Sequence, residues 1–140
     1  MNTLFKFFCM CIVLMTLTAC SAIEYRSKGV NEWNGIRVQT VTDTGMLYFK
    51  EVDGSATIDF ITSLYVGYLR SPRTAWVKEG RHTFKMMYRN GSRQAQGSIW
   101  INIEKGKEYI VRMFIEGYRV QFRAFEVGSG KLVGGYTESS

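Results

Sequence analysis

Three observations predict an all-β fold, an antiparallel β-sandwich. Turn-forming residue pairs recur at short intervals, and the segments between them alternate apolar and polar residues with period two. No segment after the leader shows a sustained 3.6-residue apolar period or a capping box that opens an apolar stripe. From Gly80 onward the turn glycines fall at positions 80, 91, 106, 117 and 128, and intervals of 11, 15, 11 and 11 residues are those of a strand plus its turn.

The chain opens on a short basic stretch with Lys6. A run of nine apolar residues follows from Phe7 to Met15, and then Leu17-Thr18-Ala19-Cys20-Ser21. A bilayer span takes about 20 apolar residues, so this run fits the apolar part of an export signal instead. Small residues before Cys20 suit a peptidase that grips an extended chain. The stretch resembles the lipobox of bacterial lipoproteins. That resemblance implies a diacylglyceryl thioether on Cys20, cleavage before it, and acylation (palmitate or a similar chain) of the new amino terminus. Ser21 stands where an aspartate would hold an enteric-type lipoprotein in the inner membrane, so the resemblance favours the outer membrane and a domain facing the periplasm. A helix is expected only in this leader.

The boundaries read as a signal peptide over 1–19, a lipidated Cys20 with a polar tether over 20–34, and a sandwich over 35–140. Removing residues 1–19 of 140 leaves 121, which is one ordinary domain. Fourteen tether residues would reach at most about 50 Å when stretched. Cys9 and Cys11 leave with the leader and Cys20 carries lipid, so no disulfide or cysteine metal site is expected. Stability must come from apolar burial, for which nine Phe, eight Tyr and three Trp are available.

The expected strands, in order, are 36–41, 46–52, 56–61, 64–69, 74–78, 82–89, 97–104, 108–116, 118–127 and 131–135. Asp53-Gly54 and Asn90-Gly91 are pairs that accept positive φ at both central positions of a type I′ turn, which predicts two tight hairpins. Pro72 falls between Leu69 and Ala75, outside any strand. His82, Phe84, Met86 and Tyr88 alternate with Thr83, Lys85, Met87 and Arg89, and Ile99, Ile101 and Ile103 with Trp100, Asn102 and Glu104. Residues 109–115 are apolar on nearly both faces, as in a central strand. In 118–124, Tyr118, Val120, Phe122 and Ala124 share a side, whereas Phe125 and Val127 continue on the other phase; this predicts a bulge near Ala124-Phe125. From 82 onward an antiparallel meander is expected.

The formal charge is +6, and losing Lys6 leaves +5. Seven basic residues (Arg70, Arg73, Lys78, Arg81, Lys85, Arg89 and Arg93) stand against Glu79 alone between positions 70 and 93. Such a concentration either attracts anionic surfaces or keeps exposed strand edges from pairing.

Glu51-Val52-Asp53-Gly54, Val77-Lys78-Glu79-Gly80-Arg81-His82-Thr83-Phe84, Glu104-Lys105-Gly106-Lys107-Glu108-Tyr109 and the late Ser-Gly-Lys-Leu-Val turn resemble a pattern shared by small bacterial lipoproteins with a PEGA or transthyretin-like β-sandwich. The similarity covers about residues 46–135. It implies a sandwich of the immunoglobulin or transthyretin-like kind and adds nothing about a reaction, and Glu79 replaces the proline of that pattern.

Cys20 is the lipid-attachment residue this reading expects. A ligand contact is expected around Pro72, where Tyr65, Tyr68, Arg70, Arg73, Trp76 and Lys78 combine aromatic faces with cationic groups. His82 is the single histidine, and Asp residues are scattered at 43, 53 and 59 in the mature chain. A strand-start histidine bonded to a turn is therefore expected, with no catalytic residues, no metal and no cofactor. The function expected is that of a non-enzymatic interaction or accessory module on the envelope. The rival is a binder of anionic envelope ligands such as lipopolysaccharide, phospholipid or glycan. Expected partners are the membrane and another envelope protein or an anionic glycan or lipid; an exported protein gives no reason to expect nucleic acid.

Overall fold

A computed structural model describes residues 23–58 and 71–137 of the chain. The described residues form ten strands and no helix. The strands are β1 (Tyr25–Arg26), β2 (Ile36–Val41), β3 (Met46–Val52), β4 (Ser55–Ala56), β5 (Thr74–Val77), β6 (Gly80–Asn90), β7 (Arg93–Ile103), β8 (Tyr109–Glu116), β9 (Arg119–Glu126) and β10 (Gly134–Thr137). They build two five-stranded sheets, ordered β1-β5-β2-β8-β9 and β10-β7-β6-β3-β4. The second sheet is antiparallel throughout. The first is mixed, because β1 runs parallel to β5 and β2 parallel to β8. This corrects the expectation of a purely antiparallel sandwich. Period-two alternation reports which face of a strand is buried, and says nothing about the direction of its neighbour.

The inward sets of both sheets make one apolar core. Val38, Ala75, Val77 and Val111 from the first sheet meet Leu47, Phe49, Phe84, Met86 and Ile101 from the second, and each is fully buried. Phe49 and Phe84 pack with ring centroids 5.5 Å apart. Burying a phenylalanine side chain stabilises a fold by about 1.5–3 kcal/mol. Tyr109 is also buried in this core, and its hydroxyl accepts from the Glu104 amide at 2.9 Å. The ring is thereby pinned to the connection that carries the chain from one sheet to the other.

The expected meander from residue 82 onward is two hairpins in different sheets. β6–β7 belongs to the second sheet and β8–β9 to the first, with the crossing at Glu104–Glu108. β10 then returns to pair with β7. Val52 pairs with Ser55 around Asp53-Gly54, whose φ values of 50° and 81° are those of a type I′ turn. The other expected type I′ pair is displaced by one residue. Asn90 pairs with Arg93, so the two loop residues are Gly91 and Ser92; Gly91 alone has positive φ, which marks a type II′ turn.

The bulge expected at Ala124-Phe125 is absent, since β8 and β9 pair without interruption from Tyr109↔Glu126 to Glu116↔Arg119. Phe125 keeps to the outer face and packs edge-on against Phe114 there, with centroids 6.0 Å apart. The register shift falls in β3 instead, between Phe49 and Glu51. The Thr57 hydroxyl caps that irregularity by donating to the Phe49 carbonyl at 2.7 Å.

Of the strand expected over 56–61, Ala56 alone is strand within the described part; the strand expected over 64–69 lies outside the described residues, as does the leader with its expected helix. The stretch read as tether joins the sheet early. Tyr25 and Arg26 pair with Ala75 and Trp76, and Asn31 folds the following loop by accepting the Trp33 and Asn34 amides on Oδ1 at 2.9 and 3.0 Å. The two-residue strand was invisible as a periodic pattern because two residues carry none.

Candidate functional site

Of the expected ligand contact, Tyr65, Tyr68 and Arg70 lie outside the described residues, as does Cys20. The described members do not converge on a shared cleft. Arg73 is exposed just before β5, and its carbonyl accepts from the Thr40 amide. Trp76 stands on the outer face of the first sheet, where its indole N–H donates to Glu24 Oε2 at 2.8 Å. Lys78 is exposed just past the other end of β5, and its carbonyl accepts from His82.

The basic outward positions of β6 are not on an edge. β6 is the middle strand of the second sheet, and its cations have partners there: Arg81 lies over the Trp100 ring at 4.4 Å, Lys85 is 3.9 Å from Glu51, and Arg89 Nε donates to the Tyr48 hydroxyl at 3.0 Å. Edge protection therefore does not account for them.

His82 sits where a strand-start histidine was expected. Its Nδ1 donates to Asp53 Oδ2 at 2.6 Å and its Nε2 to the Lys78 carbonyl at 2.7 Å. Asp53 does more than allow a turn: Oδ1 also accepts the Thr83 amide at 2.8 Å, and its own amide donates to the Thr83 carbonyl. One carboxylate thus locks the β3–β4 hairpin onto β6. Both imidazole nitrogens are engaged in these contacts, and among the described residues no group of three His, Cys, Asp or Glu could hold a metal ion.

Two open grooves are present among the described residues. One, of about 380 Å³, is lined by Tyr48, Lys50, Glu51, Thr57 and Met87 among others. The other, of about 430 Å³, lies between Trp100, Tyr109 and the turn before β10. Lys107 occupies its floor, 2.6 Å from Glu104 and 3.2 Å from Glu126. The hydrogen bond from Lys107 holds the Glu104 carboxyl below its ordinary range, and the bonds to Glu104 and Glu126 raise the Lys107 ammonium. Lys107 bridges the two carboxyl groups, an arrangement suited to clamping a turn.

The surface that sequence reasoning missed is the outer face and tip of β8–β9. Arg123 lies over the Phe114 ring at 4.9 Å and donates to Glu116 Oε1 at 3.2 Å. At the tip, Ile115 is 60 % exposed and Tyr118 is fully exposed. Arg112 and Arg119 are exposed as well, and among the described residues neither has a carboxylate partner. The alternation of Arg119 and Arg123 with the apolar set was a legible signal. What it could not tell was how far the hairpin outruns β2, whose last paired residue, Val41, aligns with Arg112.

Compared with known protein families, curated proteins and solved structures, the chain matches none. No helix among the described residues is long and apolar enough to cross a membrane.

Proposed function

We propose that this protein is a lipid-anchored lipoprotein of the bacterial outer membrane, held through Cys20 and facing the periplasm, whose β-sandwich serves as a non-enzymatic interaction or accessory module. The observation that carries this reading is Leu17-Thr18-Ala19-Cys20 directly after a nine-residue apolar run. The likeness of its turn motifs to small lipoproteins with PEGA or transthyretin-like domains agrees with it. The double engagement of His82 and the mutual saturation of Glu104, Lys107 and Glu126 support an accessory rather than a chemical role. Two or more acyl chains turn marginal membrane partition into stable anchoring, at about 0.8 kcal/mol per buried methylene. Metabolic labelling with palmitate tests the reading: the expected result is a labelled chain in the membrane fraction, and a Cys20→Ser variant that is unlabelled and leaves that fraction. An unlabelled wild-type chain, or unchanged fractionation of Cys20→Ser, would overturn it.

A further inference from the structure

We propose that the end of the sandwich bearing Ile115, Tyr118, Arg112 and Arg119 docks onto anionic lipid headgroups of the bilayer that holds the Cys20 acyl chains; this rests on the lipid-anchor reading. The direction of β1 makes the first argument. β1 runs parallel to β5, and Thr74 at the start of β5 pairs with Gln39, two residues before β2 ends at Val41. Followed backward from Tyr25, the chain therefore heads toward the end of the sheet where β2 stops and the β8–β9 hairpin projects. The second sheet turns at the same end. Gly97 packs under Phe122 and Gly134 beside Ala124, so β7 runs back toward Gly91-Ser92 on the side where β9 runs back toward Gly117-Tyr118.

Reach makes the second argument. Tyr25 shares a row across the sheet with Ala75, Val38 and Tyr109. From that row the hairpin extends eight residues to Gly117, about 27 Å at strand rise. Cys20 lies five residues before Tyr25 and reaches at most about 18 Å. A lipid on Cys20 therefore cannot outreach the tip, and β1 points away from the opposite end, which carries Lys105 and Ser129. The tether allows contact at this end with no further extension of the chain.

Composition makes the third argument. The tip presents one aliphatic and one tyrosine side chain to solvent, and tyrosine is suited to the boundary between headgroups and acyl chains. Arg73, Arg93, Arg112 and Arg119 surround that end, all exposed and all without a carboxylate partner among the described residues. Among the described residues Asp43 is the lone acid there without an ion pair. Each basic side chain near an anionic surface raises partition by about fivefold.

The test uses the mature lipoprotein reconstituted into vesicles of phosphatidylethanolamine with phosphatidylglycerol. Its cysteines are removed or capped by lipid, so Ser92→Cys at the tip end and Lys105→Cys at the far end each provide a single thiol for a nitroxide. The Ser92→Cys label is expected to relax with lipid-soluble oxygen and to be shielded from a water-soluble nickel chelate, with the opposite result at Lys105→Cys. Labels equally open to the chelate would overturn the docking. In an Arg112→Gln/Arg119→Gln background the docked fraction should fall about 25-fold relative to the undocked, at an unchanged unfolding midpoint. Undiminished shielding there would overturn the headgroup assignment. Mass spectrometry of the mature chain separates the two failures: a missing thioether lipid overturns the anchor and the docking together, while a lipidated chain with a water-exposed tip overturns the docking alone.

Discussion

Replacing Asp53 by alanine removes three things at one position. Asp53 adopts φ of 50°, a conformation that Asn and Asp tolerate and that costs other L-residues about 1 kcal/mol. Its carboxylate also accepts the Thr83 amide at 2.8 Å and the His82 ring at 2.6 Å. Hydrogen bonds to charged groups contribute about 1.5–3 kcal/mol each when sheltered. Here the Asp53 side chain is 46 % exposed, so the pair together contributes about 1–2 kcal/mol. Asp53→Ala should therefore destabilise the domain by about 2–3 kcal/mol, a fall in Tm of about 10 °C for a domain of this size. Asp53→Asn keeps the left-handed tolerance and one acceptor for the Thr83 amide, and should lose about 1 kcal/mol. Urea unfolding of the mature chain, followed by tryptophan fluorescence, measures both. Equal losses for the two variants, or a loss below about 0.5 kcal/mol for alanine, would refute the account of this carboxylate as a lock between hairpin and strand.

Phe84→Ala empties a fully buried site against Phe49 and should cost about 3–5 kcal/mol, while Phe125→Ala on the outer face should cost no more than about 1.5 kcal/mol; urea midpoints distinguish them. A Cβ at position 97 would lie 3.0 Å from the Phe122 ring, so Gly97→Ala should destabilise by about 1–3 kcal/mol, and Phe122→Leu in the same chain should recover part of that loss in a double-mutant cycle. Because Lys107 holds the Glu104 carboxyl below its ordinary range, that contact stabilises the fold above the unfolded carboxyl range and the contribution disappears as pH falls through the lowered folded value. The gap in unfolding midpoint between the wild type and Lys107→Met should therefore narrow from pH 7 to pH 3, and a gap that widens on acidification would contradict the assignment.

Much of the fold was legible because its signals are local. The turn at Asp53-Gly54 was legible since aspartate and glycine are among the few residues that sit easily in two successive left-handed positions. The ranges of β2 and β3 followed from alternation and the turns that flank them. The contact of His82 with the Asp53-Gly54 turn was legible from its place at the start of an alternating strand. Less legible were features that two residues or a single register decide. The displaced turn at Gly91-Ser92 follows from the β6–β7 register, in which glycine alone takes positive φ. The expected bulge at Ala124-Phe125 was inferred from one strand's two apolar phases, and Phe114 on the neighbouring strand removes the need for it by covering Phe125 from outside. Of the aromatic and basic stretch around Pro72, Arg73 and Lys78 flank opposite ends of a four-residue strand, a separation that adjacency in sequence conceals.

The amino-acid order by itself determined the class of structure and the positions of most strands, because each depends on side chains within a few residues of one another. Tertiary structure decided which strands are neighbours. β2 lies beside β8 in parallel although some seventy residues separate them, and β1 finds β5 across some fifty. Such pairings are selected by the shared core, where the inward faces of both sheets must interdigitate at once, and no local pattern encodes that requirement. The same long-range pairings aim the start of the folded chain toward the end from which the β8–β9 hairpin projects.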